Sequence, residues 1–254
     1  MEHINKDIIE FYNHAFDFDN QYKETYDDWL EAFRNAIQKR AVDGCFIGLS
    51  SGYDSGAITK EMLNQGVDFK AYAIYYNENK EVLDKRLEYI PNHQVTSMTK
   101  LLWKGYFDFL LGKINEKAQK DIASMGVAYM FDTAKKEGRT VCISGQGGDE
   151  IISDYALFPG QSTFKGKFPE KLYEWPNFRQ GMQREYLAEL EEIAAIYGIE
   201  VRYPFLDTDL VQEYLWLSVD LKNRNYKAPL FEYLTKNNVP FDKAVKRGFR
   251  PLAI

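Results

Sequence analysis

Histidine and cysteine are scarce, three and two in 254 residues. Cys45 and Cys142 both fall in apolar, strand-like runs, so they read as buried small hydrophobes in a reducing cytosol. Two cysteines do not make a four-ligand zinc site, and a chain of this length buries a core without metals or disulfides. His3, His14 and His93 lie outside every motif and read as surface or loop residues. Positive charge is also short: the net charge of −6 argues against a general nucleic-acid footprint. No basic residues interleave with Trp103, Trp175 or Trp216 as a base-stacking stripe requires, so these read as packing. No apolar run reaches the length of a membrane span. The opening "MEHINKDIIEFYNH" lacks the basic region and apolar stretch of a signal peptide. A cytoplasmic protein without membrane or nucleic-acid partners is therefore expected.

What is present is an alternation. The chain is 45% hydrophobic and 28% charged, which suits one large domain with an appendage. Residues 25–40 carry Trp29, Leu30, Phe33 and Ile37 at helical spacing, so residues 1–39 read as a helical N-terminal segment. Residues 40–254 then alternate. Strands are expected at 42–49, 69–76, 91–96 and 140–144, and helices at 57–63, 101–117, 123–136 and 185–197. The remainder beyond 197 reads as mostly helical. Such alternation implies α/β architecture, a parallel sheet with helices on both faces and a helical C-terminal part. The Pro-, Gly- and aromatic-rich stretch 159–176 reads as a long loop of the kind that forms lids or binding elements.

Two strand ends carry the chemistry. "LSSGYDS", Leu49 to Ser55, joins a strand to a helix, where free N–H groups and the helix dipole favour an anion. Ser50 and Ser55 add hydroxyls, and Gly52 permits close backbone approach to a phosphate. No Gly-Lys-Ser/Thr follows, so this is not a Walker A loop. Asp54 repels a bare phosphate and makes sense with a Mg²⁺ between them. "CISGQGGDE", Cys142 to Glu150, ends a second strand with Gly145, Gly147, Gly148 and Asp149. Ligands of open parallel sheets bind beyond the carboxyl ends of strands, where Asp54 and Asp149 converge to share the metal. Taken singly, each motif also reads as a plain capped helix start.

The pair resembles the ATP-pyrophosphatase superfamily, whose loop reads Ser-Gly-Gly-x-Asp-Ser. More narrowly, it resembles the synthetase domain of asparagine synthetases and their relatives, the β-lactam synthetases and lasso-peptide cyclases. "YGIEVRYPFLDTDLVQEYL", Tyr197 to Leu215, is similar to that family's third motif, and "LKNRNYKAPLFEYL" with "KRGFRP" to a fourth. The resemblance implies an adenine nucleotide α-hydrolase-like (PP-loop) fold and an ATP- and Mg²⁺-dependent ligase. A carboxylate is adenylated, pyrophosphate leaves, and ammonia or an amine displaces AMP, with aspartate giving asparagine by default. Amide or macrolactam formation on another molecule and a non-catalytic ATP sensor are the alternatives.

By the same resemblance, nucleotide contacts are expected from Leu49, Ser50, Ser51, Gly52, Asp54, Ser55, Ile74, Ser144, Gly145, Gly147 and Asp149. Lys227 and Lys246 are expected at the phosphates or reacting centre, and Glu200 beside the incoming amine. Arg202 and Asp207 are expected to form a structural ion pair. Ser51 departs from the family glycine, and Gln146 and Gly148 from a glutamate and a serine. Glu2 stands where glutamine-using relatives place a catalytic cysteine. Free ammonia, an amine, or ammonia from a separate glutaminase partner is therefore expected, and a homo-oligomer is possible on this reading.

Overall fold

A computed structural model describes residues 5–158, 160–243 and 251. Its frame is a five-stranded sheet in the order β3-β2-β1-β4-β5. The strands are β1 (Cys45–Gly48), β2 (Phe69–Ile74), β3 (His93–Thr96), β4 (Val141–Ile143) and β5 (Glu200–Arg202). Every pairing is parallel. A parallel sheet needs both faces covered, which is why its strands read as apolar runs. Phe46, Ala71 and Ile143 are fully buried in it.

The helices form two layers. In one, α2 (Asp27–Arg40), α3 (Tyr53–Asn64), α11 (Thr208–Trp216), α12 (Val219–Asn223) and α13 (Ala228–Lys236) touch one another. In the other, α5 (Lys100–Leu110), α6 (Glu116–Lys120), α7 (Ile122–Lys136), α9 (Pro176–Arg179) and α10 (Gly181–Tyr197) do so. Three more α-helices, α1 (Lys6–Asn13), α4 (Lys80–Leu87) and α8 (Gly148–Ile152), and a 3-10 turn at Pro204–Leu206 complete the described elements. The N-terminal helices share the main core rather than building their own. Phe11, Trp29 and Phe33 are fully buried in it, and Phe33 stacks on Phe205 at 5.7 Å.

Three expectations need correction. The helix foreseen over 101–117 breaks after Leu110, where Gly112 takes a φ of +73°, and resumes at Glu116. The stretch after 197 is mostly helical as read, but it opens with an unforeseen edge strand, β5. Finally, Asp207 does not pair with Arg202. Its carboxylate takes hydrogen bonds from Arg40 at 2.7 Å and Lys39 at 3.1 Å. Arg202 turns to Glu200 and to the carbonyl of Arg40.

The long loop foreseen over 159–176 is tied into the fold over its described residues, 160–176. Asp154 gathers it, accepting hydrogen bonds from the N–H groups of Thr163 and Phe164. Phe164 and Phe168 then pack edge-on against buried Trp175. The two cysteines are buried as expected.

Candidate active site

Strand order reverses at β1, since β2 leaves on one side and β4 arrives on the other. Such a switch point opens a crevice at the carboxyl ends of the two central strands. A cavity of about 250 Å³ lies there. Its walls come from the loop after β1 (Leu49, Ser50, Gly52), the start of α3 (Asp54, Ser55) and the turn after β4 (Ser144, Gly145). Ile74, Asp149 and Lys227 also line it.

The loop after β1 is held from behind. Arg86 of α4 is wholly buried and donates through Nη1 to the carbonyls of Ser50 (2.6 Å) and Gly52 (2.7 Å). Its Nε donates to the carbonyl of Pro240 at 2.9 Å. Burial lowers the Arg86 pKa to about 10, so its charge persists at neutral pH. In front, the Ser50 and Ser55 hydroxyls bond each other at 2.9 Å. Ser51 turns aside: its N–H and hydroxyl both donate to the Glu78 carboxylate at 2.5 Å. A carboxylate is already drawn to the donors of this turn, as expected of an anion-favouring strand end.

The chemistry-bearing group is a triad of charges. Asp54, in the first turn of α3, and Asp149, in the first turn of α8, meet on the ammonium of Lys227. Nζ stands 2.7 and 2.6 Å from the two Asp54 oxygens and 2.9 Å from Asp149 Oδ1. Tyr226 donates its hydroxyl to Asp149 Oδ1 at 3.2 Å. Lys227 has a φ of +48°, the left-handed region that a non-glycine residue enters at a cost of roughly 1 kcal/mol. Its side chain is 1% exposed. Burial alone opposes the charge, but the two carboxylates outweigh it and raise the Lys227 pKa above its ordinary value. With both carboxylates ionised the triad has a formal charge of −1.

Close backbone approach is built in. A Cβ on Gly148 would stand 2.5 Å from Asp54 Oδ1. The missing side chain of the second glycine of the "GGD" turn is thus the space in which the Asp54 carboxylate sits.

Of the sequence-predicted contacts, Leu49, Ser50, Gly52, Asp54, Ser55, Ile74, Ser144, Gly145 and Asp149 line the cavity, with Lys227. Ser51 faces Glu78 instead. Gly147 packs under Phe205 and Leu206 and donates its N–H to Glu150. Glu200 is not brought to the group. It opens β5 opposite Val141, the first residue of β4, and so lies at the amino end of the sheet. There its carboxylate takes the Arg202 Nε–H at 2.7 Å, which removes it from any part in handling an amine in this cavity. Lys246 lies outside the described residues.

Sequence reasoning missed Tyr53, Gly126, Val127, Met130 and Tyr226, which also line the wall. Tyr53 and Tyr226 meet edge-on at 5.4 Å. Only the apolar spacing of α7 marked Val127 and Met130, and core packing explains that equally well. Cys142 also lines the cavity, but burial raises its thiol pKa far above neutrality, so it is no thiolate nucleophile.

The two acids meet one chemical test for Mg²⁺. That ion favours hard oxygens and is held by one or two carboxylates, with substrate phosphates and water completing the set. Among the described residues no cluster of three or more metal-ligating side chains exists, so these acids alone make no closed cage. No helix among the described residues is long and apolar enough to cross a membrane.

The family described as Asparagine synthase matches residues 28–191. A putative asparagine synthetase (glutamine-hydrolyzing) 1 of Methanocaldococcus jannaschii is 23% identical over 217 residues, covering 80% of this chain and 38% of that protein. The asparagine synthetase (glutamine-hydrolyzing) of Bos taurus is 27% identical over 208 residues, 75% of this chain and 36% of that one. The chain thus spans little more than a third of the length of these relatives. NMN synthetase from Francisella tularensis aligns over 89% of this chain and 100% of its own at 13% identity. Its TM-score of 0.36 is too low to carry an argument.

Proposed function

As the chain belongs to the asparagine synthase family, we propose that it is an ATP-dependent, AMP-forming amide ligase whose reaction centre is the Asp54–Lys227–Asp149 group. The observation that carries this reading is the meeting of two acids and one lysine at the mouths of the two central strands. Each comes from a different helix start, which packing alone does not require.

The adenosine of ATP would enter the apolar part of the cavity, between Ile74, Val127 and Met130. Its phosphates would run toward the loop after β1 and the start of α3, where helix N–H groups favour anions. A net charge of −1 repels a polyphosphate, so the site calls for an added cation. Asp54 and Asp149 would hold Mg²⁺, which neutralises charge on the departing pyrophosphate.

In the first step a substrate carboxylate oxygen bonds the α-phosphorus as the bond to pyrophosphate breaks. The product is an acyl-adenylate. In the second, ammonia or an amine bonds the acyl carbon, AMP departs with the electrons of the C–O bond, and the nitrogen gives up a proton. Lys227 is already charged and already desolvated, and its ammonium, turned from the two carboxylates toward the phosphates, would stabilise their developing charge. The cytoplasm, where ATP and Mg²⁺ are plentiful, suits this chemistry.

The test is exchange of labelled pyrophosphate into ATP across a panel of carboxylic acids. Exchange that depends on one acid and on Mg²⁺ supports the reading. Tight ATP binding with no exchange and no AMP for any acid and amine would replace the ligase with a sensor.

A further inference from the structure

A second cavity of about 420 Å³ continues from the nucleotide pocket and shares Val127, Gln146, Asp149 and Leu190 with it. It runs between the start of α7 and the face of α10, and is the natural seat for whatever reacts at Asp149. Its walls combine Tyr155, Phe158 and Tyr186 with the carboxylates of Asp121 and Glu189. Among the described residues no lysine or arginine lines it. Lys227, beyond Asp149, is already held by two acids.

Glu189 is the informative member. It accepts a hydrogen bond from the Ser124 hydroxyl. Burial, with Asp121 and Glu192 nearby, pushes its pKa to about 7, against the pull of Ser124 and Lys117. Burial is the largest of these causes, and a cation seated beside Glu189 would offset it.

We propose that this groove seats the acid to be activated, and that it selects one carrying an ammonium group and an apolar body but no second carboxylate. The proposal rests on the ligase reading. Aspartate, the default substrate, brings two carboxylates: one reacts, and the other must be held. In this groove the second would face Glu189, Asp121 and Asp149, and no lysine or arginine among the described lining residues answers it. An unpaired charge in a half-buried groove is rejected as strongly as a well-paired one is accepted. An ammonium meets Glu189 and the faces of Tyr155 and Tyr186, both attractive to a cation.

Two measurements test this on the full chain. In pyrophosphate exchange, three acids are compared: aspartate, its α-amide, which keeps the ammonium and loses the second charge, and succinamate, which loses the ammonium as well. The expected order is the α-amide above succinamate above aspartate, with at least tenfold between first and last. Glu189→Gln should bring the α-amide down to succinamate. Preference for aspartate, or an order unchanged by Glu189→Gln, overturns the proposal.

Binding without turnover is the second readout. Ligand-observed NMR with phenethylamine and 3-phenylpropanoate should show the amine bound at least tenfold tighter, and Glu189→Gln should erase the difference. Equal affinity, a preference for the carboxylate, or no binding of the amine overturns the proposal. A separate titration with Mg-ATP distinguishes the two levels. If the amine preference holds while ATP fails to bind, the ligase reading falls and the groove's cation preference stands.

Discussion

Arg86 occupies the space that a side chain at Gly56 would need. A Cβ built there would stand 2.5 Å from the guanidinium carbon. The guanidinium is wholly buried and pinned to three carbonyls, so it has no free direction in which to yield. Gly56→Ala is therefore expected to lower stability by about 1–3 kcal/mol, the usual range for overpacking. Helix propensity alone predicts the opposite sign, since alanine gains roughly 1 kcal/mol over glycine inside a helix. Urea unfolding reads the sign directly. Because Arg86 sets the carbonyls of Ser50 and Gly52, ATP affinity measured by calorimetry should fall as well.

Gly148→Ala tests the other close approach. The new methyl would displace the Asp54 carboxylate, which Lys227 holds from the far side. The fold should survive, because the carboxylate is the end of a side chain that can rotate. The triad geometry should not survive, and misplacement by about 1 Å costs on the order of 10²-fold in rate. A variant with a near-native circular dichroism spectrum and undiminished exchange would refute the role given to Asp54.

Lys227→Met removes the cation and leaves Asp54 and Asp149 facing one another. Two acids at that separation repel, so melting temperature should drop. Added Mg²⁺ should then restore part of the loss in the variant and do little for the wild type. In turnover, kcat should fall by about 10²–10³-fold with a smaller change in KM for ATP, because the ammonium acts most strongly on charge developed in the transition state. Asp54→Asn and Asp149→Asn should each abolish turnover and leave the fold intact. Equal losses in kcat and ATP affinity for Lys227→Met would assign the lysine to ground-state binding.

How much of this was legible depended on whether the signal was local. The two strand ends were readable because small polar residues and glycines directly follow apolar runs, and both acids lie within a few residues of them. Lys227 was different. It follows Asp149 by many residues, and only the resemblance of "NYKAPL" to a family motif marked it. Arg86 was invisible, since an arginine on an amphipathic helix ordinarily reads as a solvated face. Strand β5 was missed because its three residues, Glu200, Val201 and Arg202, show one buried position between two half-exposed ones, too short a pattern to separate from helix or turn. Glu200 had entered the site by the family resemblance alone, and no strand placement stood against it. Once the segment is an edge strand in register with β4, its first residue must lie at the end of the sheet opposite the cavity.

Asp207 gives a prediction about acid. It caps α11, accepting from the N–H groups of Asp209 and Leu210, and it also takes the buried Arg40 guanidinium at 2.7 Å. Burial alone would raise its pKa, but Arg40 and Lys39 outweigh burial and hold it below the ordinary carboxylate value. The unfolded chain therefore binds the proton first as pH falls. The stabilisation is complete above about pH 4, the ordinary aspartate range, and is lost as pH drops through the depressed value. Asp207→Asn keeps a good cap and deletes the charge, so it isolates the ion pair. It should cost about 3 kcal/mol at pH 7, the low end for breaking a buried pair, because Asp7 still meets Arg40 at 3.0 Å. The stability gap between wild type and variant, followed by urea unfolding from pH 7 downward, should hold to about pH 4 and then close. A gap that stays constant into stronger acid would show that the variant's cost does not come from the loss of the Asp207 charge.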